Sequence, residues 1–251
     1  MRIIFLAFLG LFLTCCIEGF VNSGIKHRSL KLYSSAAVSV ANPEVDIIKK
    51  KLYANCAKFD RGFSIDQENQ VEVLDLVKDM QRLMLDTCPT KGFKEYNETS
   101  VLSGNWQMIW TNAYDVLALG LSPVTIVQGI YQSINAESGE IVNIIDLAPR
   151  IEQLLPSSFA SRLRLKVFTE GRKLDENRVG LVFRKVESKI KSVLGFRIPS
   201  ELPKLSVNLP SLSMGSNDSG YFTVLYVDDD TLIIQQNFGS GIFVSVKVSN
   251  V

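Results

Sequence analysis

Two tryptophans and a methionine at alternating positions form the most distinctive apolar cluster of the sequence. Residues 102–117 read LSGNWQMIWTNAYDVL, in which Trp106, Met108 and Trp110 follow Gly104 at intervals of two residues. Because successive side chains of a β-strand point to opposite faces, this spacing predicts that all three project from one face. Trp106 and Trp110 are also the only tryptophans of the chain. Such a face lines either a closed core, which is the commoner case, or a cavity for an apolar ligand, in which case its chemistry would be binding.

Other kinds of chemistry have little support in the sequence. The single histidine, His27, lies in a leader that we expect to be cleaved, so the mature chain would contain none. This excludes His-dependent nucleophilic catalysis, and two mature cysteines are too few for a zinc site. Neither a Walker loop nor a Gly-x-Gly-x-x-Gly motif is present. We therefore predict no catalytic residue, no cofactor and no metal, and the formal net charge of +1 gives no bias towards nucleic acid.

The carboxylates and cysteines leave three narrower questions open: acid–base catalysis, a metal site and a disulfide. Asp115, Asp146 or Glu170 could carry acid–base chemistry on a lipid, which would require a buried carboxylate with a raised pKa facing a cavity. The three aspartates at 228–230 could suggest a metal, but their position between two predicted strands favours a hairpin turn. The mature cysteines, Cys56 and Cys88, are either free or form one redox-sensitive bridge.

The first 41 residues have the composition of a targeting leader. An uncharged apolar run at residues 3–17 follows a short basic start, and it is too short for a comfortable membrane span, so we predict a signal peptide at 1–19. Residues 20–41 are rich in serine and basic residues and contain no acidic residue, as in a transit peptide. Together they are similar to the bipartite leader of algae whose plastids derive from a red alga. The alternative is a disordered secretory pro-segment.

The remaining chain is predicted to begin with helices and to continue as strands. Residues 42–100 form the predicted helical region, with apolar residues at helical spacing in 43–59 and 65–85. Residues 101–251 contain about eight short segments with strand alternation, joined by turns. Two of these segments have clear inward-facing sets: Leu163, Leu165 and Val167, and then Val179, Leu181 and Phe183. The series predicts a mainly β fold, an antiparallel barrel with room for one small ligand.

A long segment between the predicted strands has the composition of a loop. Residues 194–220 contain Pro199, Pro203 and Pro210 together with many serines. A loop of this length at the mouth of a barrel is often a lid. The alternative is a surface insertion without a function.

Four blocks of residues carry a family resemblance, in the same order along the chain. The residues from KLY at 51–53 to Met80 look like an N-terminal helical region, and LSGNWQMIWT looks like a first strand. QGIYQSIN at 128–135, followed by Val142 and Asn143, looks like the next two strands. YVDDDTL at 226–232 with GIFV at 241–244 looks like a C-terminal hairpin. Over about residues 44–248, the chain resembles the plastid lipid-associated protein (fibrillin) family.

The resemblance implies both a fold and a function. The fold of that family is similar to a lipocalin, and its members are associated with hydrophobic molecules in plastids, at thylakoids or plastoglobules. Suggested ligands are carotenoids, quinones and fatty acids, and no catalytic residue is carried over. One departure concerns the arginines that the family usually has after the acidic turn. Here Ile233, Ile234, Gln235 and Gln236 occupy those positions, so a function tied to the arginines is not carried over.

The leading hypothesis is a non-enzymatic plastid protein that binds or organises a hydrophobic small molecule. Strand alternation selects its expected cavity residues: Trp106, Met108, Trp110, Tyr131, Gln132, Asn143, Leu165 and Phe183. The alternative is a scaffold on a plastid membrane or lipid-globule surface, without an internal ligand. A basic strand face could then contact anionic lipid, although an ordinary solvated face has the same pattern; it comprises Arg162, Arg164 and Lys166, with Arg184 and Lys185 nearby.

Overall fold

A computed structural model describes most of the chain after the expected leader. It covers residues 43–63, 67–86, 88–95, 97–154, 161–193, 196–197, 205–208, 220–237 and 240–251. The expected signal and transit segments and most of the expected lid lie outside the described residues.

Helices precede the strands, as the sequence predicts. Helix α1 (Pro43–Lys58) ends in a 3-10 turn at Asp60–Gly62, and α2 (Gln67–Arg82) follows. A third short helix, α3 (Tyr114–Leu117), and 3-10 turns at Ala118–Leu121 and Arg150–Leu154 connect strands. The strands are β1 (Gly104–Thr111), β2 (Thr125–Asn135), β3 (Glu140–Pro149), β4 (Arg162–Lys173), β5 (Arg178–Val193), β6 (Phe196–Arg197), β7 (Leu205–Asn208), β8 (Tyr221–Val227), β9 (Thr231–Gln236) and β10 (Ile242–Val248). In the part of the chain described, no helix combines the length and apolar character needed to cross a membrane.

Eight of the strands close into an antiparallel barrel. Their order is β4-β3-β2-β1-β10-β9-β8-β5, and an additional pairing between β5 and β4 closes the ring. The two short strands β6 and β7 are additional to these eight, and both pair with β5. The prediction of a mainly β, lipocalin-like barrel of about eight strands with N-terminal helices is therefore confirmed.

A β-bulge in β1 separates the two tryptophans. Met108 pairs with Ser245 and Trp110 pairs with Val244, so Ile109 is an extra residue between two ladder positions. A bulge of this kind reverses the alternation of the residues that follow it. Trp106 consequently packs among interior residues, whereas Trp110 packs on the opposite face. The prediction that Trp106, Met108 and Trp110 share one face is wrong for Trp110.

Apolar side chains fill one end of the barrel interior, which we call the floor. The floor is formed by residues from six of the eight barrel strands, from the turn after β2 and from the segment before β1: Phe93, Leu102, Trp106, Ile134, Ala136, Ile141, Val179, Phe222, Val224, Val227, Leu232 and Ile234. The ammonium group of Lys247 lies 4.9 Å from the centroid of the Trp106 ring. Such packing closes this end of the barrel with a dense apolar core.

The helices α1 and α2 cover the outer face of β1, β8, β9 and β10. Leu52 and Cys56 of α1 and Val77 of α2 pack with Trp110 and Val244 of the barrel wall. Burial raises the pKa of the Cys56 thiol to about 12, so this thiol stays protonated. Cys56 and Cys88 are both free, so the possible bridge between them is not formed.

Polar contacts fix α1 to the hairpin between β8 and β9. The Lys49 ammonium lies 2.5 Å from carboxylate oxygens of both Asp228 and Asp230. The Tyr53 hydroxyl shares a 2.5 Å hydrogen bond with the Thr231 hydroxyl. The backbone amides of Asp230 and Thr231 donate to the Asp228 carboxylate. The acidic run therefore forms the expected hairpin turn, and its side chains contact the helix and the turn backbone.

Candidate functional site

A layer of inward-facing side chains lies above the floor, and we call it the waist. Gln132 of β2 lies opposite both Trp106 of β1 and Asn143 of β3. Asn143 in turn lies opposite Val167 of β4. Because directly paired residues in a sheet project from the same face, all three waist residues share the interior face of Trp106. Leu165 and Phe183 face the same way. Leu165 lies two residues before Val167 in β4, and Phe183 of β5 pairs with Thr169, two residues after Val167.

A second apolar cluster lies above the waist, at the end of the barrel that we call the mouth. Leu119, Val127, Ile145 and Leu147 form it, and Phe63, Ile130, Leu163 and Leu165 pack against it. Phe63 lies against Gly120, where an added Cβ would come 2.7 Å from its ring. The phenyl ring therefore needs a glycine at this position.

The arginines of the mouth hold the connecting segments in place. The guanidinium of Arg150 donates to the carbonyl oxygens of Gly120 and Ser122, at 3.1 and 2.7 Å. Arg61 donates to the carbonyl oxygens of Val127 and Gln128, at 3.2 and 3.3 Å, next to the bulge of β2. These hydrogen bonds satisfy backbone acceptors where the ladder is interrupted.

The waist side chains remain partly exposed although they point into a closed barrel. Gln132, Asn143, Leu165, Val167 and Phe183 all have intermediate exposure, whereas Trp106 below them is fully buried. An inward-facing side chain keeps accessible surface only where a space at least as large as a water molecule lies beside it. The side chains of the waist are therefore packed less completely than those of the floor.

The waist combines an apolar lining with one polar pair. The Gln132 side-chain amide donates to the Asn143 carbonyl oxygen at 3.0 Å. Each amide carries more donor and acceptor positions than this single bond uses. A few polar groups within an apolar pocket are what orients a bound small molecule. The waist can thus bury an apolar molecule and hydrogen-bond to its carbonyl, carboxyl or hydroxyl group.

Most of the residues predicted to line a cavity do face the interior. Trp106 belongs to the floor, and Met108 follows it on the same face below the bulge. The waist and the mouth cluster contain the other four that face inwards: Gln132, Asn143, Leu165 and Phe183.

Two of the predicted cavity residues lie on the outer face of the barrel. Trp110 packs under the helices because of the bulge in β1. Tyr131 pairs with Ile144 and Gln107 on the outer face, where its burial raises the pKa of its hydroxyl. Tyr131 and Gln132 are neighbours in one strand, so they cannot both face the interior. Val167, which the sequence pattern places inwards, belongs to the waist although it was not among the expected cavity residues.

The basic strand face of the scaffold hypothesis is largely neutralised by ion pairs. Arg164 forms two hydrogen bonds of 2.6 Å with the Asp146 carboxylate on the neighbouring strand. Arg162 donates to buried Glu152 at 3.0 Å. Lys185 contacts the carboxylate of Glu187 at 2.8 Å. Paired charges of this kind attract an anionic surface much less than their number suggests.

Two of the three carboxylates considered for catalysis, Asp146 and Glu170, also belong to such pairs. Asp146 binds Arg164 on the outer face. Hydrogen bonds from Arg184 and Lys94 lower the pKa of Glu170 to about 2, and this carboxylate is also on the outer face. A carboxylate that acts as a general acid at neutral pH needs a raised pKa and a position at the cavity. Asp146 and Glu170 therefore lack the position expected of catalytic groups.

Comparison with known proteins identifies relatives along nearly the whole described region. The PAP_fibrillin family model matches residues 46–245. "Probable plastid-lipid-associated protein 2, chloroplastic" of Arabidopsis thaliana is 23% identical in an alignment of 234 residues that covers 81% of this chain and 71% of that protein. "Plastid lipid-associated protein 1, chloroplastic" of Brassica campestris is 23% identical over 86% of this chain and 73% of its own length. "Light-induced protein, chloroplastic" of Solanum tuberosum is 25% identical over a shorter region, 42% of this chain and 31% of that protein.

Proposed function

We propose a function for this chain, which belongs to the PAP_fibrillin family. It is a non-enzymatic plastid protein that binds a hydrophobic small molecule inside its barrel. The partial exposure of inward-facing side chains at the waist is the observation that carries this proposal. The names of two relatives support a lipid-associated role, because both contain the words plastid lipid-associated.

The chemistry of the waist favours an elongated apolar ligand with one polar end. Leu165, Val167 and Phe183 would contact the apolar part, at about 25 cal/mol for each Å² of apolar surface buried, before the costs of association. Gln132 and Asn143 would hydrogen-bond to the polar end. Quinones, fatty acids and oxygenated carotenoids have this combination of groups.

The proposed location is the plastid, at thylakoids or plastoglobules. The relatives are named chloroplastic. The composition of residues 1–41 supports entry through a signal segment followed by a transit segment. The helical region and the barrel would then form the mature protein.

A role without an internal ligand, as a scaffold on a lipid surface, is the alternative function. The partial exposure of the inward-facing side chains at the waist favours the ligand-binding role over this alternative. An enzymatic role through Asp146 or Glu170 has less support, since both carboxylates form ion pairs on the outer face.

Mass spectrometry of co-purifying small molecules tests the proposed function. We expect the tagged mature chain, purified from its native membranes, to carry a hydrophobic molecule enriched over a mock purification with an unrelated tagged plastid protein. The polar end of that molecule should be a carbonyl, carboxyl or hydroxyl group. If no hydrophobic molecule is enriched, and added fatty acid or quinone also fails to bind, the interior is not a ligand site.

A further inference from the structure

The mouth end of the barrel is surrounded by exposed apolar side chains, which we call the apolar rim. Its members come from the segments that follow β1 and β3 and from the end of β5 and β6: Tyr114, Leu121, Val124, Ile151, Leu154, Ile190 and Phe196. Because neighbouring strands are antiparallel, the ends of β1, β3 and β5 meet at the same end of the barrel. The largest exposed fractions are 84% for Leu154, 74% for Phe196, 71% for Tyr114 and 68% for Leu121.

The floor end of the barrel has a different surface. Its hairpin turns contain a series of acidic residues, Glu137, Glu140, Asp175, Glu176 and the aspartates at 228–230. Among the residues that the structure describes, its large exposed apolar side chains are Val101 and Leu174. Single exposed apolar residues are normal on a protein surface, but a group of large ones at one end indicates an interaction surface. The two ends of the barrel axis therefore differ in chemical character.

Hydrogen bonds hold two of the rim segments in place, the segment after β1 and the segment after β3, in spite of their exposure. The Glu152 side chain is fully buried, and its carboxylate accepts hydrogen bonds from the Ser161 backbone amide at 2.5 Å and from Arg162 at 3.0 Å. Arg150 fixes the segment that carries Leu121 and Val124 by its bonds to backbone carbonyls. The apolar side chains are thus presented on an ordered framework, which reduces the conformational entropy lost on binding.

Lysine side chains flank the rim on the outer face of β4 and β5. Lys189 and Lys191 lie on either side of Ile190, and Lys166 is on the neighbouring strand. None of these lysines forms an ion pair with a residue that the structure describes. Partial burial lowers the pKa of Lys191, and the positive charges of Arg164, Lys166 and Lys189 lower it further, while the Asp146 carboxylate acts in the opposite direction. Lys189 and Lys191 therefore leave positive charge beside the rim, on the part of this face that the ion pairs do not neutralise.

We propose that the apolar rim inserts into the surface of an anionic lipid layer, with Lys189 and Lys191 at the head groups. Apolar side chains that bury in the lipid interface, together with cations at its surface, are the combination that gives reversible membrane binding. In this orientation the mouth of the barrel faces the lipid. The inference rests on the proposed function, because a ligand could then pass between the lipid and the waist without crossing water.

Flotation with phosphatidylcholine–phosphatidylglycerol vesicles tests this docking. The rim variant carries Leu121→Ser, Leu154→Ser and Phe196→Ser. The control carries Ile47→Ser, Val71→Ser and Leu85→Ser, which change apolar residues of the helical region that are also more than half exposed. We expect vesicle binding of the rim variant to fall about tenfold or more, because apolar contact with the interface is lost. The control should bind like the unmodified chain, and binding should weaken at high salt and on phosphatidylcholine alone.

Equal flotation of the rim and control variants would overturn the docking surface. The docking surface would also be overturned if the unmodified chain did not bind vesicles but formed a dimer in gel filtration, and if the rim substitutions abolished that dimer. The rim would then be assigned to contact with a second copy of the chain. Titration with a fatty acid in the absence of vesicles separates this inference from the proposed function. The rim variant should retain fatty-acid affinity, and failure of the unmodified chain to bind fatty acid would contradict the proposed function instead.

Discussion

Replacing Val167 by tryptophan is expected to weaken the binding of an apolar ligand by about tenfold or more. Val167 faces the interior opposite Asn143 and is partly exposed there, so an indole at this position would fill the space that the ligand needs. Excluding about 60 Å² of ligand contact at about 25 cal/mol per Å² costs about 1.5 kcal/mol, or roughly tenfold in affinity. A fluorescent fatty-acid titration measures the change.

The neighbouring residue provides the control for this substitution. Lys166 lies on the same strand but faces outwards, where it pairs with Ile144 of β3. Lys166→Trp should therefore leave the affinity unchanged while adding the same side chain. Val167→Phe adds a smaller side chain and should give an intermediate loss of ligand affinity. It serves as the test if Val167→Trp disturbs folding. Equal affinities of the Val167→Trp and Lys166→Trp variants would place the ligand outside the waist.

Replacing Trp110 by alanine is expected to lower the free energy of unfolding by about 3–5 kcal/mol. Trp110 is almost completely buried between the barrel wall and the helices, in contact with residues of both. This loss is a large part of a typical domain stability of about 5–15 kcal/mol. Urea denaturation measures it, and the folded variant should keep the fatty-acid affinity of the unmodified chain, because Trp110 is on the outer face.

An exposed aromatic residue serves as the reference for Trp110. Tyr114 lies three residues after β1 on the apolar rim and is mostly exposed, so Tyr114→Ala should change the unfolding free energy by no more than about 0.5 kcal/mol. A change of similar size in both variants would mean that the helices do not pack on the barrel as described. Loss of fatty-acid affinity in folded Trp110→Ala would instead place this tryptophan at the ligand site. Trp110→Phe provides a milder variant for that comparison.

The sequence pattern predicts the faces of the barrel correctly where the ladder is regular. Leu163, Leu165 and Val167 face inwards as predicted, because β3 and β4 pair without a register shift over this region. In β1 the same reasoning fails for Trp110, since the pattern contains no signal for the extra residue at Ile109. Apolar residues on both sides of the bulge are buried, one inside the barrel and one under the helices, so hydrophobicity alone does not distinguish the two faces.

Interactions between distant residues are a second limit of sequence reasoning. Arg164 and Asp146 are 18 residues apart in the chain but lie directly opposite each other in the sheet. Their pairing neutralises much of the expected basic face, and it depends on strand register rather than on composition. The apolar rim is likewise assembled from two connections and from residues of β5 and β6, which have no common pattern in the sequence. Both features follow only from the closed topology of the barrel.

The two tryptophans allow the central claim, ligand binding inside the barrel, to be measured directly. Trp110→Phe leaves Trp106 as the only tryptophan, opposite Gln132 of the waist, and Trp106→Phe leaves only Trp110 on the outer face. A brominated fatty acid quenches indole fluorescence only near contact. We expect saturable quenching of Trp106 and little quenching of Trp110. Stronger quenching of Trp110, or no quenching of either tryptophan at saturating fatty acid, would contradict binding inside the barrel.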